Sequence, residues 1–149
     1  MSKLIKKALI AVGRPRCGKK THLQYLADQL EAPYIDMGAH LRELKTKLRL
    51  EGTERPELAP LVSTGYVADE FIMSIFRTWI GQERRLKSPF IILDGVPRNI
   101  AQARLVLPFL KHNGGFEIHT LWFTTSAKAC MERPTRGERD DDSADKIVA

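Results

Sequence analysis

The chain has 149 residues, of which 43% are hydrophobic and 28% are charged, and this composition excludes a disordered chain. The length supports one domain with a substantial core, and no apolar stretch is long enough to span a bilayer. The formal net charge is +6, and residues 1–50 hold eleven Lys and Arg against four Asp and Glu. This concentrated positive charge predicts an anionic ligand, either nucleic acid or a polyphosphate.

Strand-like and helix-like segments alternate from the beginning of the chain. The apolar run at 8–12 predicts a short buried strand, and because it is too short for the core of a signal peptide we expect a cytoplasmic protein. Apolar residues at helical spacing predict a helix over 19–30. The other elements expected in this half are a strand at 33–36, a helix over 39–50, a loop at 51–53 and a short helix over about 56–63.

The second half of the chain continues this alternation. A wide apolar stripe predicts a helix over 67–80 that packs against a sheet, and the apolar run at 90–93 is typical of a parallel strand covered on both faces. The order of elements predicts an α/β domain with a parallel sheet. Further elements expected are a helix over 100–111 that Pro108 kinks or shortens, a strand at 118–123, a short helix capped by Ser126, and a mixed-charge loop or flap over 133–142.

Side chains that often bind metals or stack on bases show no such pattern here. The four histidines lack metal-ligand spacing, and Trp79 and Trp122 are expected in the core. Cys17 and Cys130 lie far apart without a C-x-x-C motif, which argues against a disulfide framework or a zinc site. A reducing compartment is compatible with both cysteines.

The strongest motif lies between the first predicted strand and the first predicted helix. Residues 13–21 read GRPRCGKKT and contain the G-x-x-x-x-G-K core of a phosphate-binding loop. Gly13 and Gly18 let the backbone curl so that successive N–H groups face one concavity, to which the helix N-terminus adds partial positive charge. Lys19 can reach terminal phosphates, and Thr21 can offer a hydroxyl to a phosphate or to the water shell of a metal. The alternative is a Gly/Pro turn with incidental lysines.

Two residues of this loop add features of their own. Lys20 stands where Ser, Thr or Gly is expected. A second ammonium suits phosphate, but its bulk and charge can compete with a magnesium ion. Cys17 would be redox-sensitive if it were exposed at the helix N-terminus, and the alternative is an inert small residue that fills the loop.

A second motif follows the apolar run at 90–93. Asp94-Gly95-Val96-Pro97-Arg98 places a carboxylate at the end of a central strand, then a tight turn and a guanidinium. In phosphate-loop folds an acidic residue at this point orients Mg²⁺ through water, and the planar fork of Arg98 suits phosphate. Taken alone, the same residues also fit a strand-capping Asp with a surface Arg.

In order and spacing, these motifs resemble the adenylate kinase family from about residue 10 to the end of the chain. The segments that carry the resemblance are G-x-P-x-x-G-K-x-T at 13–21, G-x-x-L-R at 38–42, D-G-x-P-R at 94–98 and Gln102. The resemblance implies a P-loop NTPase three-layer sandwich in which helices cover a parallel sheet. It divides a single domain over 1–149 into a core (1–36 and 66–131), an acceptor-binding segment (37–65), a short lid (132–142) and the start of a final helix (143–149).

The resemblance also implies an activity and a set of site residues. The activity is transfer of the terminal phosphate of ATP-Mg²⁺ to AMP or a related nucleoside monophosphate, by a monomer that uses neither nucleic acid nor a membrane. Donor contacts would come from Gly13, Cys17, Gly18, Lys19, Lys20 and Thr21, and acceptor contacts from Gly38, Arg42, Gly65, Val67, Gly95, Arg98 and Gln102. Lid contacts would come from Arg133, Arg136, Arg139 and Asp141. Lys19, Arg98, Arg133 and Arg139 would be catalytic, and Asp94 would organise the magnesium shell through water.

The sequence departs from the family pattern in ways that keep other functions open. Met37-Gly38-Ala39 stands where the family usually has Thr-Gly-Asp, and the chain is expected to stop before one more strand and a closing helix. One alternative is therefore a nucleotide-binding homologue of weak or no activity, which acts as a sensor or partner module. A nucleic-acid-binding domain that uses the basic N-terminal third is another, although no nucleic-acid reader motif is present.

Overall fold

Four parallel strands form the centre of the fold in the computed structural model, which describes residues 5–51 and 67–133. Their order in the sheet is β2-β3-β1-β4, and the register is parallel throughout. This sheet confirms the predicted α/β fold of the P-loop NTPase type. The strands are β1 (Lys6–Gly13), β2 (Tyr34–Asp36), β3 (Phe90–Asp94) and β4 (Phe116–Phe123).

Helices connect these strands and follow the predicted ranges closely. The side chain of Ser126 accepts a hydrogen bond from the Ala129 N–H at 3.2 Å, so the predicted cap is confirmed. The short helix α4 was not predicted, and the segments expected at 52–63 and 134–142 lie outside the described residues. The helices are α1 (Lys19–Leu30), α2 (Met37–Glu51), α3 (Asp69–Ile80), α4 (Glu83–Lys87), α5 (Ile100–His112) and α6 (Ala127–Glu132).

Helix α5 continues past Pro108 to His112, so the expected shortening does not occur. Proline removes one backbone donor, which leaves the carbonyl one turn earlier without its helical partner. Pro108 lies on an exposed part of the helix, where water can satisfy that carbonyl. The helix is therefore maintained by the buried residues on its other side, among them Val106 and Leu110.

Helices cover both faces of the sheet because side chains alternate along each strand. On β1, Ala8 and Ile10 belong to a core cluster with residues of α3 and α5, whereas Leu9 and Ala11 pack with residues of α1. Strand β3 is buried on both faces, as its continuous apolar run predicts. The result is the three-layer arrangement expected from the sequence.

The two tryptophans differ, and the expectation for one of them is wrong. Trp79 is partly buried against the core, but Trp122 is 72% exposed near the end of β4. Trp122 is the register partner of Val12, which is also exposed, whereas the core contacts of β4 on this face come from Phe116 and Ile118 further back. Periodicity alone does not reveal how far along a strand the covering helices extend.

The topology places two loops side by side at one edge of the sheet. Strands β1 and β3 are adjacent and parallel, and Ala11 near the end of β1 is the register partner of Asp94. The loop after β1 and the turn after β3 therefore leave the same edge, which is where ligands bind in open parallel sheets. No helix in the described part of the chain is both long and apolar enough to cross a membrane.

Candidate active site

The loop between β1 and α1 requires glycine at two positions. Gly18 has φ 94, in the left-handed region that favours glycine. Gly13 lies so close to β4 that a β-carbon there would be 2.7 Å from the backbone oxygen of Phe123. Arg16 is also left-handed, with φ 60, although it carries a side chain. This backbone produces the tight curl that the motif predicts.

The side chain of Lys19 folds back into this curl. Its Nζ donates hydrogen bonds to the carbonyl oxygens of Gly13 at 2.6 Å and Arg14 at 3.0 Å, and lies 3.8 Å from the Sγ of Cys17. Cys17 is only 4% exposed, so the structure favours the space-filling interpretation over a reactive thiol. Thr21 is exposed in the first turn of α1. The ammonium of Lys19 is thus held at the concavity where a phosphate would lie.

Lys20 makes a contact that sequence reasoning missed. Its Nζ lies 3.8 Å from the Oδ2 of Asp36, the last residue of β2. The other carboxylate oxygen of Asp36 accepts a hydrogen bond from the Ala39 N–H at 2.8 Å, in the first turn of α2. Asp36 is also the register partner of Asp94. A strand-end carboxylate directly before a helix is the signal that could have identified Asp36.

Two guanidinium groups from separate segments meet at Gly38. A β-carbon on Gly38 would lie 3.2 Å from Nη1 of Arg42, 3.3 Å from Nη2 of Arg98 and 3.4 Å from Oδ1 of Asp36. Gly95 has φ 77 and likewise leaves room for Arg98, because a β-carbon there would lie 3.2 Å from its Nη2. Arg42 comes from α2 and Arg98 from the turn after β3, so the fold brings both predicted acceptor contacts together.

Gln102 is buried in a network of hydrogen bonds, with 4% of its surface exposed. Its Oε1 accepts from the Arg98 N–H at 2.8 Å, and its Nε2 donates to Oδ1 of Asp69 at 2.7 Å. Asn99 caps α5 by accepting from the Gln102 N–H at 2.8 Å, and its side-chain amide donates to Asp69. Asp69 and Asn99 were not predicted. They tie the side chain of Gln102 to the turn that carries Arg98.

Arg133 lies against the phosphate loop. Its Nη1 donates to the carbonyl oxygen of Arg16 at 2.8 Å, and a β-carbon on Gly18 would be 3.0 Å from the same nitrogen. Arg16 in turn donates to the carbonyl oxygen of Met131 at 3.3 Å, so the end of α6 is tied to the loop. The remaining lid residues, Arg136, Arg139 and Asp141, lie outside the described residues.

The base-pocket prediction is only partly covered by the described residues. Gly65 lies outside them, and Val67 is 8% exposed with its side chain in the core beneath α3 and α5. A groove of about 750 Å³ adjoins the phosphate loop on another side, lined by residues 12–15 and 122–126. The exposed ring of Trp122 forms part of its wall.

The carboxylates at the strand ends fit a magnesium ion that phosphates help to hold. Asp36 and Asp94 are register partners on adjacent strands and supply oxygen ligands of the kind that Mg²⁺ binds, often through water. No group of three or more His, Cys, Asp or Glu side chains within 5–51 and 67–133 is placed to hold a metal alone. The donor set therefore suits an ion that arrives with a nucleotide.

Similarity to known proteins agrees with this geometry. A family model described as an AAA domain matches residues 12–148. The chain is 30% identical to a protein named adenylate kinase from Mycobacterium leprae (strain Br4923), over 94% of this chain and 75% of that protein. It is also 30% identical to an adenylate kinase from Fusobacterium nucleatum, over 93% and 64% of the two chains. The identity to an adenylate kinase from Caldicellulosiruptor bescii is 34%, over 71% of this chain and 47% of that protein.

Proposed function

The chain belongs to the adenylate kinase family, and from that premise we propose that it transfers the terminal phosphate of ATP-Mg²⁺ to AMP or a related nucleoside monophosphate. Membership of this family supports a phosphotransferase of the nucleoside-monophosphate kinase type. The observation that carries the proposal is the convergence of Arg42 and Arg98 at Gly38, next to the carboxylate that pairs with Lys20 of the phosphate loop. On this proposal, the two phosphate-binding regions would face one shared cleft.

The donor would bind through the phosphate loop. Backbone N–H groups and the N-terminus of α1 would face the phosphates, with Gly13, Cys17, Gly18 and Thr21 shaping the loop. The Lys19 ammonium now bonds to two loop carbonyls, and we infer that it exchanges these for phosphate oxygens when the donor binds. Arg133 already contacts the loop, and we infer that its guanidinium would reach the transferred group from there.

The acceptor would bind on the opposite side of the cleft. Arg42 and Arg98 offer planar donor forks to its phosphate, and Gly38 and Gly95 leave room for them. The backbone of Gly65 and Val67 would line the base pocket. When bound, Mg²⁺ would neutralise phosphate charge, with Asp94 and Asp36 orienting it through water. Since every group named comes from a single chain, we propose that a monomer is sufficient.

The network around Gln102 offers a physical basis for reading adenine. The Arg98 N–H is a donor and must face Oε1, while the Asp69 carboxylate is an acceptor and must face Nε2. The side-chain amide therefore cannot flip. We infer that its second N–H and its second oxygen lone pair would meet the base edge in fixed positions. Adenine and guanine present donor and acceptor in opposite order, so a fixed amide would discriminate between them.

Part of the positive charge in the N-terminal third lies at the proposed nucleotide site. Lys19 bonds within the phosphate loop, Lys20 contacts Asp36, and the guanidinium of Arg42 lies near Gly38, two residues after Asp36. A small polyphosphate ligand accounts for that arrangement, and a nucleic acid is not required. We therefore propose nucleotides as the partners of this protein.

A specific observation keeps the nucleotide-binding homologue as a second candidate. Lys20 contacts Asp36 beside the carboxylate proposed for the magnesium shell, and Ala39 contributes only a backbone N–H at this point. A protein that binds nucleotide without turnover is compatible with these contacts.

A coupled assay for ADP separates the two candidates. ATP is supplied with AMP, GMP, CMP or UMP in turn, and turnover with AMP above the others is the expected result. ATP binding by calorimetry is measured on the same preparation. Retained binding without turnover for any acceptor would favour the sensor over the kinase.

A further inference from the structure

The contact between Lys20 and Asp36 places a protein cation beside the strand-end carboxylates. Lys20 is the second residue of α1, directly after the lysine that reaches into the phosphate loop. Its ammonium lies 3.8 Å from Oδ2 of Asp36, whose register partner is Asp94. The positive charge of this side chain therefore lies at the edge where a metal ion accompanying a nucleotide would also be attracted.

This ion pair is loose enough to rearrange. The side chain of Lys20 is 40% exposed and that of Asp36 is 15% exposed, and the separation is at the long end for an ion pair. Such partly exposed pairs contribute little to stability, so exchanging the carboxylate for a phosphate costs little. Asp36 is held more firmly, because its other oxygen accepts from the Ala39 N–H at 2.8 Å. The lysine is the mobile partner, and the carboxylate is its anchor.

We propose that Lys20 is a resident cation of the nucleotide site. When ATP binds, the ammonium moves from Asp36 onto the donor phosphates and supplies part of the charge neutralisation that Mg²⁺ otherwise provides. The site then binds metal-free ATP nearly as well as ATP-Mg²⁺. Asp36 acts as a positioning residue that keeps the ammonium at the mouth of the loop before the nucleotide arrives. This inference rests on the proposed function, in that ATP binds at the phosphate loop.

The test compares ATP binding with and without the metal. Calorimetric titrations are run in excess EDTA and in excess MgCl₂ on the wild-type protein and on Lys20→Met. We expect Lys20→Met to weaken binding of metal-free ATP by about tenfold and of ATP-Mg²⁺ by less than about threefold, since a charge-assisted contact to phosphate is lost only where no metal replaces it. The quantity that decides is the ratio of the two dissociation constants.

Two further variants separate a specific role from general charge. Arg14→Met removes an exposed cation from the same loop that has no contact with Asp36 in the described residues, and it should weaken both forms of ATP alike. Lys20→Arg keeps the charge and should keep the wild-type ratio. Thermal unfolding checks that each variant is folded, and Lys20→Gln replaces Lys20→Met if the latter is not.

The outcomes are distinguishable. The inference would be overturned if Lys20→Met weakened binding of metal-free ATP and of ATP-Mg²⁺ equally. It would also be overturned if Arg14→Met changed the ratio of the two dissociation constants as much as Lys20→Met does. Neither outcome would affect the kinase proposal. If the wild-type protein bound ATP neither in EDTA nor in MgCl₂, the proposed function would be overturned, and this inference with it.

Discussion

The proposed donor and acceptor sides of the site are built in different ways. The donor side consists mainly of one continuous segment, 13–21, whose internal contacts join residues close in sequence, such as Lys19 and Gly13. The acceptor side joins Gly38 and Arg42 with Arg98, which belongs to a different part of the chain. A local motif can be recognised wherever it occurs, whereas the acceptor side exists only once β2 and β3 are adjacent. Perturbing each side should therefore produce separable effects.

The largest effect is expected on the donor side, from Lys19→Met. Loss of the ammonium should lower kcat/KM for ATP by about 100- to 1,000-fold, because preorganised charge at a transferring phosphoryl group contributes most to such reactions. Steady-state kinetics at saturating AMP measures it. Lys111→Met, which removes an exposed lysine from α5, is the matched control and should change little. Full activity in Lys19→Met would show that the donor site is wrongly placed.

The next largest effect is expected on the acceptor side, from its two arginines. Arg42→Met and Arg98→Met should each raise the acceptor KM by about 10- to 100-fold, since each removes a charged donor to the acceptor phosphate. The dissociation constant of ATP should stay within about twofold, because neither arginine belongs to the donor loop. Arg104→Met, an exposed arginine on α5, serves as the control. Equal losses of ATP and AMP affinity would contradict the two-sided division.

Two glycine substitutions test whether each side depends on backbone or on side chains. Gly13→Ala should lower the free energy of unfolding by about 1–3 kcal/mol, because its β-carbon would meet the Phe123 backbone oxygen at 2.7 Å. Gly38→Ala should not destabilise the fold, since the nearest atoms are the movable ends of Arg42 and Arg98. Displacing those guanidinium groups by a few tenths of an ångström should instead raise the acceptor KM by about three- to tenfold. Denaturant unfolding measures the free energy of unfolding of both variants, and steady-state kinetics measures their acceptor KM.

The smallest effect concerns the acceptor base. Asp69→Ala removes the acceptor for Nε2 of Gln102, so the amide loses one of the two contacts that hold its orientation. We expect the preference for AMP over GMP, measured as a ratio of kcat/KM, to fall by about fivefold. ATP binding should be unchanged. Glu70→Ala, which removes an exposed carboxylate from the same helical turn, should leave the ratio as in the wild type.

Much of the fold follows from local patterns in the sequence. The apolar runs of β1 and β3, the helical spacing of 19–30 and the cap at Ser126 are all found where expected. These features depend on backbone propensity and on burial of one face or both, which neighbouring residues determine. Helix α4 was missed because it has five residues and no buried side chain, so no apolar period marks it.

The sequence by itself determined the phosphate loop, the alternation of strands and helices, and the family. Each of these depends on residues that are close together along the chain. Only the tertiary structure decided that Lys20 contacts Asp36, that Asp69 holds Gln102, and that Trp122 is exposed. These outcomes depend on which strand ends lie side by side and how far the covering helices reach. Side chains distant in sequence acquire their partners only when parallel strands bring their carboxyl ends to one edge.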